Sequence, residues 1–240
     1  MASTDKAKRG AGRKKSKRAL QAVAAAVAGV IALSLIWPAA YGIVNPPGTF
    51  VMAGRALQGA EIRREWVRLE DISPHLLTSV IAAEDTRFCL HNGIDLEAID
   101  KALDEAEQGR RLRGASTLSQ QTAKNAFLWN GGGWFRKGAE AWMTSVMELF
   151  WSKRRVLEVY LNIAEWGDGI FGAEAAAKAR FGKSARDLTP REAALLAAVL
   201  PNPHRWRVDP PGPYVRSRAA LLERRMIQVR RDGLDACVRQ

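Results

Sequence analysis

The chain divides by polarity before it divides by anything else. Its first eighteen positions are strongly polar, and the next twenty-six, Ala19 to Val44, carry no charge. As a helix that apolar run is about 39 Å long at ~1.5 Å per residue, and roughly 20 apolar residues cross a bilayer core. Trp37 and Tyr41 stand near its far end, where aromatic side chains favour the headgroup zone. Pro38 is expected to kink or end the helix. A cleaved secretory signal or a buried core helix are the alternatives to an anchor. The length of the run and the basic block beside it favour the anchor. Asn45-Pro46-Pro47-Gly48 then looks like a short linker.

Past the linker the apolar spacing is mostly helical. Ser73-Pro74 signals a helix start leading toward Glu84. Asp95 is placed to cap a run from Leu96 to Gln108, closed by Gly109. Met143, Val146, Leu149, Phe150, Val156, Leu157, Tyr160 and Leu161 keep helical spacing, which predicts one long helix over Glu140–Leu161. Thr189-Pro190-Arg191-Glu192 is a capping box before an apolar run that Pro201 stops. Strand signals are few and short. The expectation is one mainly α domain from about residue 50 to about 230. The chain is thus divided into a basic leader (1–18), an anchor (19–44) and a mainly helical domain (45–240).

Charge sharpens this picture. The net charge is +12, and Met1 to Arg18 alone carry eight Lys/Arg against Asp5. A leader of that kind is not expected to fold. Its position beside the apolar run sets membrane topology, with the leader cytoplasmic and the rest outside. Nucleic-acid binding is therefore not expected. Cys89 and Cys237 are the only cysteines, and no Cys/His cluster has zinc spacing. Whether the two pair is not legible, and Cys89 reads as a small core filler.

Three segments carry candidate chemistry. Glu84 to Asp95 is dense in titratable groups between two apolar helices, so Glu84 could serve as a general base if buried. Helix-end acids and a cap explain the same residues, and His91 alone suits a structural role. Arg113 to Asn125 contains Ser116, Thr117, Ser119, Gln120, Gln121, Lys124 and Asn125, donors and acceptors suited to a sugar and a diphosphate. A helix entered near Ser116 would favour a phosphate at its N-terminus. In the third segment, Arg136 and Lys137 share a helix face with Glu140. That is either an exposed ion pair or a diphosphate site. Between the last two segments, Ala126 to Phe135 sets three glycines among large apolar residues. It reads as a loop that dips into the lipid interface or packs on the core.

Taken in order, these residues resemble the peptidoglycan glycosyltransferase family, the polymerase domain found in class A penicillin-binding proteins. The match runs through Glu84-Asp85, Phe88, His91, Gly93, Asp95, Gly114, Ser116-Thr117, Gln120-Gln121, Lys124-Asn125, Arg136-Lys137 and Glu140. It continues through Lys153, Leu157-Glu158, Tyr160-Leu161-Asn162, Gly167, Gly172, Phe181-Gly182, Leu188-Thr189, Glu192-Ala193, Leu196-Ala197, Pro201 and Pro203. Coverage is about residues 66 to 210. Ser119 stands where the family usually has Thr, and Phe171 and Arg180 where Tyr is common.

The resemblance implies a lysozyme-like helical fold with a smaller membrane-proximal lobe. It implies lipid II and the nascent glycan strand as substrates. Glu84 would deprotonate the acceptor 4-hydroxyl, which inverts the anomeric carbon of the growing chain and releases undecaprenyl diphosphate. Glu140 would assist near the leaving group. Lys124, Arg136 and Lys137 would bind diphosphate. Asp85, Phe88, His91, Ser116, Thr117, Gln120, Gln121 and Asn125 would complete the substrate site. No dedicated metal or cofactor is expected, although a divalent cation such as Mg or Mn would suit the diphosphate. Membrane lipid and other cell-wall synthesis or division proteins are the implied partners, at the bacterial cytoplasmic (inner) membrane. With the chain ending at Gln240, no transpeptidase activity is expected. Ser3-Thr4-Asp5-Lys6 matches S-x-x-K only formally, since it lies in the leader. A lytic glycan-cleaving enzyme and a non-enzymatic cell-wall scaffold are the competing functions. The first has no need of the cationic set, and the second needs neither glutamate.

Overall fold

The computed structural model describes residues 2–109 and 116–239, with side chains from residue 17 onward. Among the described residues it is mainly α, as expected, with ten helices and three short strands. Helix α1 runs unbroken over Ala2–Tyr41. The leader, expected not to fold, therefore continues the anchor helix. Its Ala, Lys and Arg residues are strong helix formers. Pro38 does not interrupt α1, which ends three residues later. From Lys17 to Tyr41 the helix is long and apolar enough to cross a membrane, and nearly all of that stretch is clear of the domain, with Pro38 alone buried.

One end of α1 is fastened to the domain. Helix α2 (Phe50–Leu57) starts after the linker, with Thr49 accepting the Met52 N–H. Against α1 lies α6 (Gly133–Phe150). Trp142 Nε1 donates to Ser34 Oγ at 3.1 Å, and Trp151 Nε1 donates to the Pro38 carbonyl at 2.7 Å. The Trp37 ring meets Tyr41, Phe50 and Phe127 edge-on, with centroids 5.5–6.1 Å apart. That is the spacing at which aromatic pairs attract beyond their area burial.

Two helix groups form the body. In one, α3 (Pro74–Glu84) packs against α9 (Pro190–Val199) and α10 (Pro213–Arg231). In the other, α5 (Leu118–Phe127) packs against α6 and α7 (Lys153–Ile163). Helices α4 (Leu96–Glu107) and α8 (Ala173–Phe181) flank them. A single apolar core joins the groups, with Leu76, Val80, Ile81, Leu118, Leu157, Leu161 and Leu196 fully buried. Strands β1 (Arg63–Arg64), β2 (Glu165–Gly167) and β3 (Ile170–Phe171) form a small sheet in the order β1-β3-β2. The β1 pairing is parallel and the β2 pairing antiparallel.

Two sequence expectations need correction. The long helix over Glu140–Leu161 is two helices, broken at Trp151 and Ser152. Ser152 accepts the Arg155 N–H and starts α7, while Trp151 is extended and buried with its indole bonded to α1. The apolar period survives the break because both helices face one core. Cys89 is not a filler: it forms a disulfide with Cys237, 148 residues away. The bridge ties the loop after α3 to the C-terminal 3-10 turn Ala236–Val238.

Candidate active site

Ser73 accepts the His75 N–H and Pro74 opens α3, so the helix is fixed at its start. Its side chains from Leu76 to Ala82 are buried against α9 and α10, and the helix ends at Glu84. The Glu84 side chain is only 13% exposed. Its Oε2 accepts from Gln121 Nε2 at 3.0 Å. Its Oε1 has no hydrogen-bond partner among the described residues, and the Arg218 guanidinium stands 3.8 Å from it. Burial raises the Glu84 pKa, opposed by the Gln121 bond and Arg218 and helped by the Asp85 charge. A carboxylate in that position accepts a proton closer to neutrality than an exposed one. It lines a cavity of about 210 Å³ together with Asp85, Arg87, Ser116, Thr117 and Arg225.

The loop after α3 is held by its own polar groups. Asp85 is buried, accepts the Leu118 N–H at 2.9 Å and meets His91 Nε2 at 3.1 Å. Asp95 caps α4 by accepting the Ala98 N–H and pairs with Arg87. Phe88 is fully buried, with the Lys153 ammonium 4.6 Å from its ring centroid. Thr117 and Gln120 form the capping box of α5, and the Thr117 hydroxyl also donates to the Gly93 carbonyl. Gly93 has φ +89°, and a Cβ there would meet Thr144 Cγ2 at 2.9 Å. Only glycine lets the chain pass α6 this closely.

Helix α5 connects the Glu84 cavity to a second one of about 220 Å³. Gln121, Lys124, Asn125, Asn130, Tyr160 and Glu165 line it. Lys124 is half-buried. Burial lowers its pKa, Glu140 pulls it back up, and Arg136 and Lys137 push it down. Those charges therefore act on one another across the site. Glu140 is 5% exposed and accepts from both Arg136 and Lys137. This is no exposed ion pair; the carboxylate is buried beneath two cations.

The structure thus gathers Glu84, Ser116, Gln121, Lys124 and Asn125 on two neighbouring cavities, and joins Arg136, Lys137 and Glu140 into one cluster. Asp85, Phe88, His91, Thr117 and Gln120 build the frame around them. Arg113 and Gly114 lie outside the described residues. The apolar segment Ala126 to Phe135 is shorter as a loop than expected, because α6 begins at Gly133. Trp134 and Phe135 stand on its first turn, 92% and 81% exposed. Sequence reasoning missed Tyr160 and Arg218 as site residues. Both reach the site through long-range packing; Tyr160 stands in the family match without a role, and Arg218 stands outside it.

Among the described residues, two groups of three side chains come close enough to hold a cation, Asp85-His91-Asp95 and Glu165-Asp168-His204. In the first, both carboxylates are committed to backbone N–H groups, to His91 and to Arg87. In the second, Arg55 binds both carboxylates. Neither arrangement suits a resident ion at the cationic cluster, so no step below is routed through a metal.

Comparison with known proteins decides the family. The family model described as Transglycosylase matches residues 52–227. The chain belongs to the transglycosylase family. It is a glycosyltransferase enzyme. A protein of Rhodospirillum centenum named biosynthetic peptidoglycan transglycosylase is 59% identical over 92% of this chain and 96% of its own length. A protein of the same name from Pseudomonas putida is 51% identical over 85% of this chain and 87% of its own. One from Xanthomonas campestris pv. campestris is 48% identical over 90% and 91%. The transglycosylase match takes in Glu84, the α5 segment, the Glu140 cluster and most of α10. The apolar part of α1 fits a single-pass membrane anchor.

Proposed function

We propose that this transglycosylase polymerises lipid II into peptidoglycan glycan strands at the outer face of the cytoplasmic membrane. The observation that carries the proposal is Glu84: a buried carboxylate with one unpaired oxygen, in a cavity joined through Gln121 to a cationic site. Glu84 accepts the proton of the acceptor 4-hydroxyl. The freed oxygen bonds to the anomeric carbon of the growing chain. The bond from that carbon to the phosphate oxygen breaks, and the electron pair leaves with undecaprenyl diphosphate. Lys124, Arg136 and Lys137 stabilise the charge that develops there, which is the most effective use of fixed cations. Glu140 holds Arg136 and Lys137 in place between turnovers. Ser116 and Asn125 offer polar contacts to the sugars.

Export of the domain is supported by the disulfide, a bond that persists in oxidising compartments. The basic leader then lies in the cytoplasm. The cationic cluster favours synthesis over hydrolysis, because glycan cleavage has no diphosphate to neutralise.

The test is incubation of detergent-solubilised protein with labelled lipid II, with Glu84→Gln alongside. Wild type gives a polymer ladder that muramidase digests, and the variant gives none. Cleavage of preformed glycan with lipid II untouched would replace this function with a lytic one. Inactivity of folded protein in both assays would favour a scaffold.

A further inference from the structure

Tyr160 lies on α7, fully enclosed by the core, yet carries a polar group into the site. Its hydroxyl is 3.2 Å from Gln121 Oε1. On the other side of the same amide, Gln121 Nε2 is 3.0 Å from Glu84 Oε2. We infer that Tyr160 is a positioning residue for the reaction: its hydroxyl holds the Gln121 amide with the N–H, and not the carbonyl, toward Glu84. This rests on Glu84 being the base.

A side-chain amide can turn over, and its two ends have opposite hydrogen-bonding characters. The turned amide would set a carbonyl oxygen against the carboxylate. The observed orientation satisfies all three groups at once, the phenol donating to Oε1 while Nε2 donates to the acceptor-only carboxylate. Burial and the neighbouring Glu84 charge both raise the Tyr160 pKa well above its usual value, so the hydroxyl keeps its proton at any working pH. The donated N–H then favours the charged form of Glu84 and anchors Oε2. Oε1 is left to meet the acceptor proton. Other groups facing Glu84 are Arg218 and Arg225 from α10 and Asp85 and Arg87 from the following loop. On α9, which also packs on α3, Arg191 is paired with Glu223 and Glu192 with Lys183.

The experiment is the pH profile of lipid II polymerisation by the full-length protein, for wild type, Tyr160→Phe, Gln121→Met and the double variant. Tyr160→Phe removes one hydroxyl. It should lower kcat about fivefold, the effect of one lost hydrogen bond between neutral groups, with KM within about twofold. The acidic limb should move to higher pH, because Glu84 loses a donor that favours its charged form. Gln121→Met should shift the limb in the same direction, and the double variant should be no worse than Gln121→Met alone. If Tyr160→Phe does not fold, the limb of Gln121→Met decides: a shift upholds the amide link, and a wild-type limb overturns it. An unmoved limb in Tyr160→Phe, or losses that multiply in the double variant, overturn the inference while Glu84→Gln remains inactive. Polymerisation by Glu84→Gln overturns the base assignment, and this inference with it.

Discussion

Glu84 accepts a single hydrogen bond, although its side chain is largely out of water. Its folded pKa lies above the unfolded value of 4.5. In the window between the two, the folded state keeps a proton that the unfolded chain has lost, so stability declines as pH rises through it. Above the folded pKa that cost is fully present. Glu84→Gln should therefore stabilise the domain while abolishing activity, by on the order of 1 kcal/mol, or about 2–4 °C in Tm. Calorimetry at pH 7 checks this, and a lowered Tm would contradict it. Activity should run the other way, falling as pH drops through the raised pKa and Glu84 becomes protonated. Lys124 stands in the opposite position, a cation that burial disfavours and Glu140 supports. Lys124→Met should cost about 10²–10³ in kcat, the range for losing one charge-stabilising donor, measured on lipid II. Residue types marked Glu84, Lys124, Arg136, Lys137 and Glu140 only as candidates, with structural alternatives open, and the family resemblance gave them roles. Tyr160 reads in the sequence as one more position on an apolar helix face. Its hydroxyl acquires a partner only through the packing of α7 on α5, which no local pattern encodes.

Among the elements, α5 shows how much of a site is frame. Thr117 accepts the Gln120 N–H, donates to Gly93 and stands one residue before the Leu118 N–H that Asp85 accepts. Thr117→Ala should cost about 1–2 kcal/mol, the upper range for a lost cap. It should also lower activity, because the loop carrying Asp85 loses its tie to α5. Denaturant titration and the polymerisation assay read the two effects separately. Helix starts were the most legible feature, since Ser73, Asp95 and Thr189 all cap the helices their positions predict. The break between α6 and α7 was hidden because Trp151, an apolar residue in phase with the period, occupies it. What distinguishes Trp151 is its bond to Pro38 of α1, a contact across 113 residues.

For the molecule as a whole, two couplings matter. The first is the seating of α1 on α6, which fixes how the domain meets the bilayer. Trp134, Phe135, Leu149 and Phe150 are exposed on α6, the helix that lies along the anchor. Replacing Trp134 and Phe135 together with Ser should raise KM for lipid II in vesicles by at least about tenfold, since each large apolar side chain contributes about 1.5–3 kcal/mol when fully buried and about 1.4 kcal/mol is tenfold. The value of kcat should hold. The second is the bridge from Cys89 to Cys237, which encloses most of the catalytic domain. Its removal by Cys89→Ser with Cys237→Ser should cost about 2–5 kcal/mol, read as a lower Tm that reductant reproduces in wild type.

The buried ion cluster of α6 has one more consequence. With Arg136 and Lys137 both bonded to Glu140, the resting enzyme shows solvent no bare pair of positive charges. Glu140 is a tenant that a stray inorganic phosphate would have to evict unaided. A diphosphate arriving with a sugar on one side and a lipid on the other brings that help with it. Any anion that binds there must first displace the Glu140 carboxylate from both cations.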